Sequence, residues 1–542
     1  MHQLYIKQEY PLHIFKNLLL YLLISLAFVL LYIEVSHFWV DCGGISGHIK
    51  NIELPLLLIL LLLLYFPSGN VFKNALLSLL PVIGLYVLYD IFYHFLAKSA
   101  RVSDLQNATL LSDFSPLLSI GLILMVLLIV FSIFYQIYKF RKRSSKRTFY
   151  TVIALKALLF AILLFYLGSE SFHHYLLKKY KYYTWSQSRT IKKNGRFSSF
   201  IYYDIISKRA EKKLAAYKKK KLNVNKILFG NSELQTKRNI YIVILESFID
   251  PRLIKDASFS RSPLADEMRK YLNHDQFSFI TASIYGGGTS QSEFEVLTGV
   301  KALAKVSSIE FNVLEGNPVS GFTNILRQNG YHTIATIATR SNFYNSKDAY
   351  KSIGFEKSIF LEESDDFQHT KGDKIIFDAD LYQYNIRTIK KQNIKTPYLF
   401  YTLGMYGHFP YHRNTELRPD VVTTAHKDPR VHRIANQFYY RTKALAHYID
   451  TILAFDPDAI IFVTSDHLPP LLADSVQYDK SPMENIALLL NRGEQVDITG
   501  YHYYEIPRLI WKLLQKKQPE IIKIDDETYK SIYYKVLSES LK

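Results

Sequence analysis

Up to about residue 168 the chain is written in long runs of Leu, Ile, Phe and Val, and beyond about residue 221 the apolar runs become short, separated by turns and mixed charge. Five apolar segments, at roughly 13–33, 49–66, 74–96, 116–138 and 150–168, reach or approach the length of a membrane-spanning helix, which needs about 20 mostly apolar residues. The second is the shortest and carries Glu53 and Pro55 near its start. The first is too long for a removable leader and lacks a small-residue cleavage site, so it reads as a retained anchor. Asp90 and His94, near the outer end of the third span, read as interfacial residues in contact with water.

The region from 236 to 542 alternates two other patterns. Short apolar, β-branched runs at 239–245 (NIYIVIL), 331–338, 398–403 and 458–463 predict strands, and the stretches 321–328, 374–391 and 433–455 predict helices between them. Continuous apolar strands separated by helices predict a mainly parallel sheet covered on both faces. Ligands of such sheets collect at the carboxyl ends of the strands. Three of the predicted strands deliver polar residues there: 239–245 runs into Glu246, 458–464 into Ser465, Asp466 and His467, and 398–403 toward His408.

Charge places the apolar half. The formal net charge is +18, and the excess is clustered at 139–147 and 178–221, beside hydrophobic segments. That placement favours anionic lipid over nucleic acid, for which the chain has no binding motif. Arg141, Lys142, Arg143, Lys146 and Arg147 lie between the fourth and fifth spans, so that loop is expected in the cytoplasm. The N-terminus, with Lys7 and Lys16, is then inside, and everything after Gly168 lies outside. The join at 169–235 is basic and amphipathic. Its aromatic and basic stretch 173–185 and its Lys-rich stretch 211–221 suit helices in the headgroup layer. The single cysteine, Cys42, permits neither an intrachain disulfide nor a Cys-based zinc site.

The candidate chemistry centres on Tyr285-Gly-Gly-Gly-Thr289-Ser-Gln-Ser-Glu-Phe. The glycines allow a tight turn. Ser290 and Glu293 have capping-box spacing, which predicts a helix with Thr289 at its N-terminus, where free N–H groups and the helix dipole favour an anion. A threonine hydroxyl is a poor nucleophile unless a cation stabilises its alkoxide. Glu246, Asp466 and His467 offer two carboxylates and an imidazole, a donor set suited to one divalent ion, Mn²⁺ or Zn²⁺, with Mg²⁺ possible.

Leu245-Glu-Ser-Phe248, the Gly-rich turn before Thr289, Gly407-His-Phe-Pro410 and Ser465-Asp-His467 together resemble the lipoteichoic acid synthase and phosphoglycerol transferase group of the alkaline phosphatase/sulfatase superfamily. The resemblance implies a multi-pass protein of the bacterial inner membrane with an alkaline-phosphatase-like α/β domain outside. It implies Glu246, Thr289, Asp466 and His467 as metal ligands. Glycerophosphate would pass from phosphatidylglycerol to Thr289 and on to a glycan or polymer acceptor, with His408 contacting the phosphate or moving a proton. Where the synthases carry Phe-Trp-Asn-Arg, this chain has Phe343-Tyr-Asn-Ser346. Tyr344 is then a substrate-wall residue, and Arg340 or Arg441 would have to replace the missing guanidinium. The His467-Leu-Pro-Pro470 continuation looks like proteobacterial relatives that decorate glucans or surface polysaccharides. A phosphoethanolamine transferase is the nearest alternative, although members of that group usually carry several disulfides in the outer domain. A non-catalytic envelope scaffold would predict a degraded metal site, and a sulfatase proper would need a Cys/Ser-x-Pro-x-Arg motif that Thr289 does not begin.

Overall fold

The structure, a computed structural model, describes residues 2–541 apart from 68–69, 97–98, 101–115, 184–186, 231–232, 286–287, 304–305, 307–308, 342, 393–395, 470, 472–475 and 519–523. Gly286, Gly287 and Pro470, which belong to two of the motifs above, lie outside the described residues, as does Trp185 of the join. The chain divides into two compact units, Met1–Lys208 and Arg209–Lys542, with the boundary inside the join predicted at 169–235.

Leu-rich segments without water must satisfy every backbone polar group internally, which makes them helical. The first unit holds α1 (His2–Val35), α2 (Glu53–Leu64), α3 (Val71–Leu96), α4 (Pro116–Arg143), α5 (Lys146–Leu167), α6 (Glu170–Lys179), α7 (Gln187–Asn194) and the start of α8 (Arg196–Lys218). Among the described residues, four helices are long and apolar enough to cross a membrane: α1, α3, α4 and α5. The second predicted span, at 49–66, is α-helical only over the 12 residues of α2, after a 3-10 turn at Gly47–Asn51, and α2 is about 18 Å long against a hydrocarbon core of about 30 Å. Its last carbonyls have a partner that hydropathy does not show: Lys156, from within α5, donates to Leu62 O at 3.2 Å and Leu63 O at 2.6 Å.

Asp90 does not touch water as the sequence pattern predicted. It is fully buried and forms a two-bond pair with Arg196, Nε to Oδ1 at 2.9 Å and Nη2 to Oδ2 at 3.0 Å. Glu53 is equally buried. Its carboxylate accepts the N–H groups of Arg196 at 2.9 Å, Phe197 at 3.2 Å and Ser198 at 2.7 Å. Glu53 thus caps the N-terminus of α8, whose first N–H groups have no partner within the helix. Buried charge is tolerated here because each group is paired and hydrogen-bonded.

The second unit holds the rest of α8, then α9 (Val224–Phe229), β1 (Ile240–Leu245), α10 (Asp266–Arg269), β2 (Ser278–Thr281), α11 (Thr289–Thr298), α12 (Phe322–Gln328), β3 (His332–Ile337), α13 (Ser346–Ile353), β4 (Lys357–Phe360), α14 (Asp378–Gln392), β5 (Tyr398–Gly404), α15 (Pro429–Phe455), β6 (Ile460–Ser465), β7 (Glu484–Asn491), β8 (Glu494–Val496), α16 (Ile506–Leu514) and α17 (Asp526–Ser540). The strand order is β2-β7-β6-β1-β5-β3-β4, with β8 on β7. β6, β1, β5, β3 and β4 run parallel, and β7 joins β6, β2 and β8 antiparallel. All four strands predicted from apolar runs are present, and they form four of the five parallel ones. Both faces of β1 are covered: Ile240, Ile242 and Ile244 enter one core and Tyr241, Val243 and Leu245 the other.

α11 is buried along its whole length and carries two carboxyls into the core. Glu293 accepts hydrogen bonds from the Tyr350 and Tyr401 hydroxyls, and burial pushes its pKa up to about 7. Glu295 accepts from Ser283 Oγ and Ala302 N, and burial pushes it up to about 8. An unfolded glutamate titrates near 4.3, so the fold favours both protonated forms. Their contribution to stability is complete below about pH 4.3 and is lost as the pH rises through about 7 and 8, with a slope of up to roughly 1.4 kcal/mol per pH unit per group. Glu295→Gln keeps the neutral shape. Thermal unfolding of the full-length protein in detergent, followed from pH 5 to 8.5, should show a weaker pH dependence in the variant and a higher midpoint than wild type at the alkaline end.

Candidate metal and nucleophile site

The site is built by register. Leu245, the last residue of β1, lies opposite Gly404 of β5 and Ser465 of β6, so the three chains leave the sheet at one level. Glu246 N donates to Gly404 O at 2.8 Å and Asp466 N to Leu245 O at 3.1 Å, which extends the ladder by one step. Ser247 then turns with φ 49°, a left-handed conformation that is unfavourable for a residue with a side chain. It is held by its N–H on Asp466 Oδ1 at 2.7 Å. His467 N donates to the same oxygen at 2.7 Å. Asp466 therefore uses Oδ1 to fix two backbone turns and leaves Oδ2 for the site.

Oδ2 of Asp466 accepts from Thr289 Oγ1 at 2.8 Å and lies 3.2 Å from His467 Nε2. Glu246 Oε2 lies 3.4 Å from Thr289 Oγ1, and its Oε1 lies 3.8 Å from His467 Nε2. Glu246, Asp466 and His467 are all buried and bring their ligand atoms within 4.8 Å of one another. His467 Nδ1 lies 3.0 Å from Leu468 O. The proton assigned to Nδ1 on that ground leaves the Nε2 lone pair facing the carboxylates, the arrangement of a metal-ligating histidine. Thr289 is the first residue of α11, as predicted, but the capping box is not formed. The N-cap is Gly288, at φ 85° and without a side-chain bond, and Glu293 is taken up by the two tyrosines. Ser292 Oγ instead donates to Asp466 O at 2.5 Å and ties the helix start to β6.

Electrostatics agrees with the geometry. Burial pushes the Asp466 carboxyl up to about 7, reinforced by the negative charge of Glu246. Burial also works against the charged form of Glu246, but His467 and then His408 outweigh it and hold that carboxyl below its usual range. Burial opposes charge on His467, yet Asp466 and Glu246 raise its pKa. Two desolvated carboxylates, an imidazole lone pair and a hydroxyl converge on one point, a donor set that fits a divalent cation.

The other predicted residues divide. His408, exposed, turns Nδ1 toward Phe409 O at 2.8 Å and acts electrostatically on Glu246. Tyr344 lies in the same field: burial and then the Glu246 charge push its hydroxyl up to about 12. Its backbone is left-handed, as is that of Asn345, whose side chain anchors the turn on Phe311 O at 2.9 Å and Leu314 O at 2.8 Å. Ser346 is buried and donates to Phe343 O within that turn. Arg340 is not drawn into these contacts; its side chain is 68% exposed and pairs with Glu362 at 3.3 Å.

Arg441 is no solvent-facing clamp. It is buried, gives Nε to Asp378 Oδ2 at 2.6 Å and Nη1 to Glu246 O at 2.9 Å, and so supports a metal-ligand candidate from behind. A Cβ at position 407 would overlap both the Glu246 carbonyl and Arg441 Nη1, which accounts for Gly407. Asp378 was missed because an acid at a helix start reads as an ordinary end-of-helix residue, and no local signal names its partner. A lysine cannot reach two acceptors with a rigid fork. Arg441→Lys should weaken metal affinity by about 10- to 100-fold, the usual effect of losing an outer support, while the folded fraction persists. Titration calorimetry with Mn²⁺ and Zn²⁺ would measure it.

Comparison with known proteins gives this geometry a family. A relative from Rhizobium meliloti (strain 1021), provisionally described as a cyclic beta-1,2-glucan modification protein, is 24% identical over 280 residues, 51% of this chain and 42% of the relative. The match thus spans less than half of that protein. Among solved structures, the lipoteichoic acid synthase from Listeria monocytogenes superposes with a TM-score of 0.42 at 17% identity, covering 56% of this chain and 78% of that one. The Streptococcus pyogenes phosphoglycerol transferase, solved with sn-glycerol-1-phosphate, gives 0.42 at 16% identity, covering 62% and 91%. The Sulfatase family profile matches residues 238–534, more than half of the 542-residue chain, from the residue before Asn239 to within α17. The chain belongs to the sulfatase family.

Proposed function

We propose that this protein transfers phosphoglycerol from phosphatidylglycerol to a cell-envelope glycan through a covalent adduct on Thr289, with its catalytic domain outside the bacterial inner membrane. The observation that carries the reading is the position of Thr289 Oγ1. It stands at the first turn of α11, 2.8 Å from Asp466 and 3.4 Å from Glu246. There its O–H already has a carboxylate acceptor, and a phosphate in front of it would face the free N–H groups of the helix.

Glu246, Thr289, Asp466 and His467 would hold one Mn²⁺ or Zn²⁺ ion, which when bound supplies a positive charge to the alkoxide and to the phosphoryl oxygens. The chain's own groups do the rest. Thr289 Oγ1 attacks phosphorus, the bond from phosphorus to the diacylglycerol oxygen breaks, and that oxygen leaves with a proton for which His408 is the candidate donor. In the second half the acceptor hydroxyl displaces Thr289. The resemblance of the motifs supports the phosphoglycerol group, and the description of the Rhizobium relative supports a glucan as the acceptor class. A phosphoethanolamine transferase remains the second reading. Against it stands the lack of any cysteine beyond Cys42, which is in the first unit.

Incubation with labelled phosphatidylglycerol and, separately, phosphatidylethanolamine should leave a glycerophosphate adduct on Thr289, read by peptide mass spectrometry. A phosphoethanolamine adduct would select the second reading. Thr289→Ala should lower diacylglycerol release at least about 10³-fold; turnover unchanged in that variant would end the nucleophile assignment. Chelation should stop adduct formation, and added Mn²⁺ or Zn²⁺ should restore it.

A further inference from the structure

The strip Ser465-Asp466-His467 leaves the sheet as it delivers two of the metal-ligand candidates, and its backbone carbonyls, buried, need partners. Each accepts from a hydroxyl. The Tyr503 hydroxyl donates to Ser465 O at 2.7 Å, Ser292 Oγ to Asp466 O at 2.5 Å, and Ser465 Oγ to His467 O at 2.7 Å. The three donors differ in what they tie down. Tyr503 lies just before α16 and Ser465 ends β6. Ser292 lies on α11, the helix that carries Thr289.

Thr289 and Ser292 are three residues apart, so on a helix they share a face. That face meets Asp466 twice. Thr289 Oγ1 donates to the carboxylate Oδ2 at 2.8 Å, and Ser292 Oγ donates to the backbone carbonyl. A serine or threonine inside a helix commonly bonds back to a carbonyl one turn earlier. Thr298, on the same helix, does so, to Phe294 O at 2.5 Å. Ser292, which is buried, gives its hydroxyl to another element instead. The two ties to Asp466 do not last equally through the proposed reaction. In the first transfer Thr289 Oγ1 forms a bond to phosphorus, the bond from phosphorus to the diacylglycerol oxygen breaks, and the threonine proton ends, in the net, on the departing alcohol. The esterified Oγ1 has no hydrogen to donate, so its bond to Asp466 is lost in the adduct. The Ser292 bond involves no reacting atom, and nothing in the transfer removes it.

We propose that Ser292 is a positioning residue for the nucleophile: through Asp466 it holds the first turn of α11 in one place while Thr289 is free and while it is esterified. This role rests on the transfer reading above. Ser292 touches no substrate in it. The Ser292 bond fixes where Oγ1 stands relative to the phosphorus, which a displacement of about 1 Å would disturb enough to cost up to roughly 100-fold in rate. Its loss therefore falls on turnover and leaves substrate binding alone.

The test uses the full-length protein in phosphatidylglycerol-containing nanodiscs and compares Ser292→Ala with Thr323→Val. Thr323 Oγ1 donates to Leu297 O at 2.9 Å, about 12 Å further along α11 than Thr289. That control loses the same kind of buried bond on the same helix, away from Asp466. Per folded enzyme, Ser292→Ala should lower kcat for diacylglycerol release at least about tenfold, with KM within about twofold of wild type, the mark of an interaction that counts in the transition state. Its Mn²⁺ affinity, by titration calorimetry, should stay within about threefold. Thr323→Val should keep kcat within about twofold. Ser292→Cys keeps a weak donor of similar size; it should lie between wild type and Ser292→Ala, and it carries the comparison if Ser292→Ala does not fold. Hydrogen exchange read by mass spectrometry adds a measurement without turnover: the amides of 289–293 should exchange faster in Ser292→Ala and not in Thr323→Val. The positioning role is overturned if the Ser292 variants turn over like wild type, if they and Thr323→Val lose kcat alike, or if turnover falls only in step with Mn²⁺ affinity, which would make Ser292 a support of the metal site. A wild type that releases no diacylglycerol from phosphatidylglycerol overturns the donor assignment instead, and the same comparison with phosphatidylethanolamine then decides Ser292.

Discussion

The catalytic unit is organised around a charge imbalance that its sheet enforces. Glu246 and Asp466 leave adjacent parallel strands at the same level, and their oxygens come together out of water beside the His467 imidazole. Two like charges within 4.8 Å of each other repel by at least about 3 kcal/mol at an effective dielectric of about 20, and side chains free to move would separate. Here they are not free. Asp466 Oδ1 is pinned by the N–H groups of Ser247 and His467, and the Glu246 backbone is held between Gly404, Arg441 and the close approach of Gly407. The fold thus keeps a deficit of positive charge at one point, and Thr289 is delivered to that point by the start of a buried helix.

The first unit uses buried charge in the opposite way. Glu53 and Asp90 are as deeply buried as the site carboxylates, but each is matched by donors: three N–H groups at the start of α8 for Glu53 and a two-bond guanidinium for Asp90. Lys156 likewise meets the carbonyls that end α2. Paired charges of this kind fix helices in place. The contrast separates the two uses: balanced clusters hold the structure together, and the unbalanced cluster is one that could hold a metal ion.

Much of this was legible in the sequence, for identifiable reasons. Fully buried parallel strands must be continuous apolar runs, so β1, β3, β5 and β6 announced themselves, and the polar residues at the ends of three of these runs were then placed by topology. Glu246, Asp466 and His467 were singled out this way, and Thr289 by the glycines before it, and the structure brings the four together. What was not legible depends on partners distant in the chain. Arg441 on a helix reads as solvated or as a substrate clamp, and nothing local reveals that Asp378, 63 residues earlier, and the Glu246 carbonyl absorb it. Asp90 looked interfacial because it lies near the outer end of an apolar run; Arg196, 106 residues away, pairs with it in the buried interior. Glu293 matched a capping-box spacing, but two tyrosine hydroxyls from other elements claimed it. The second apolar segment had the composition of a span, but its composition could not show that a lysine in another helix would let it end early.

The departure at Ser346 has a structural consequence for specificity. Arg441 is sealed behind Glu246, Arg340 pairs with Glu362, and the Ser346 hydroxyl is used inside its own turn. None of the three offers a free guanidinium fork to the phosphate. On the proposed reading, positive charge in front of Thr289 comes from the cation and from the N-terminus of α11. Such a set neutralises any phosphodiester, because it addresses the phosphoryl oxygens that all phospholipids share, and it carries no information about the group beyond them. On that reading, selection of the headgroup falls to neutral contacts such as the left-handed Tyr344 turn. The nucleophile and metal-ligand candidates would, on that reading, define the type of reaction, while the identity of what is carried would be set by residues that bear little or no charge.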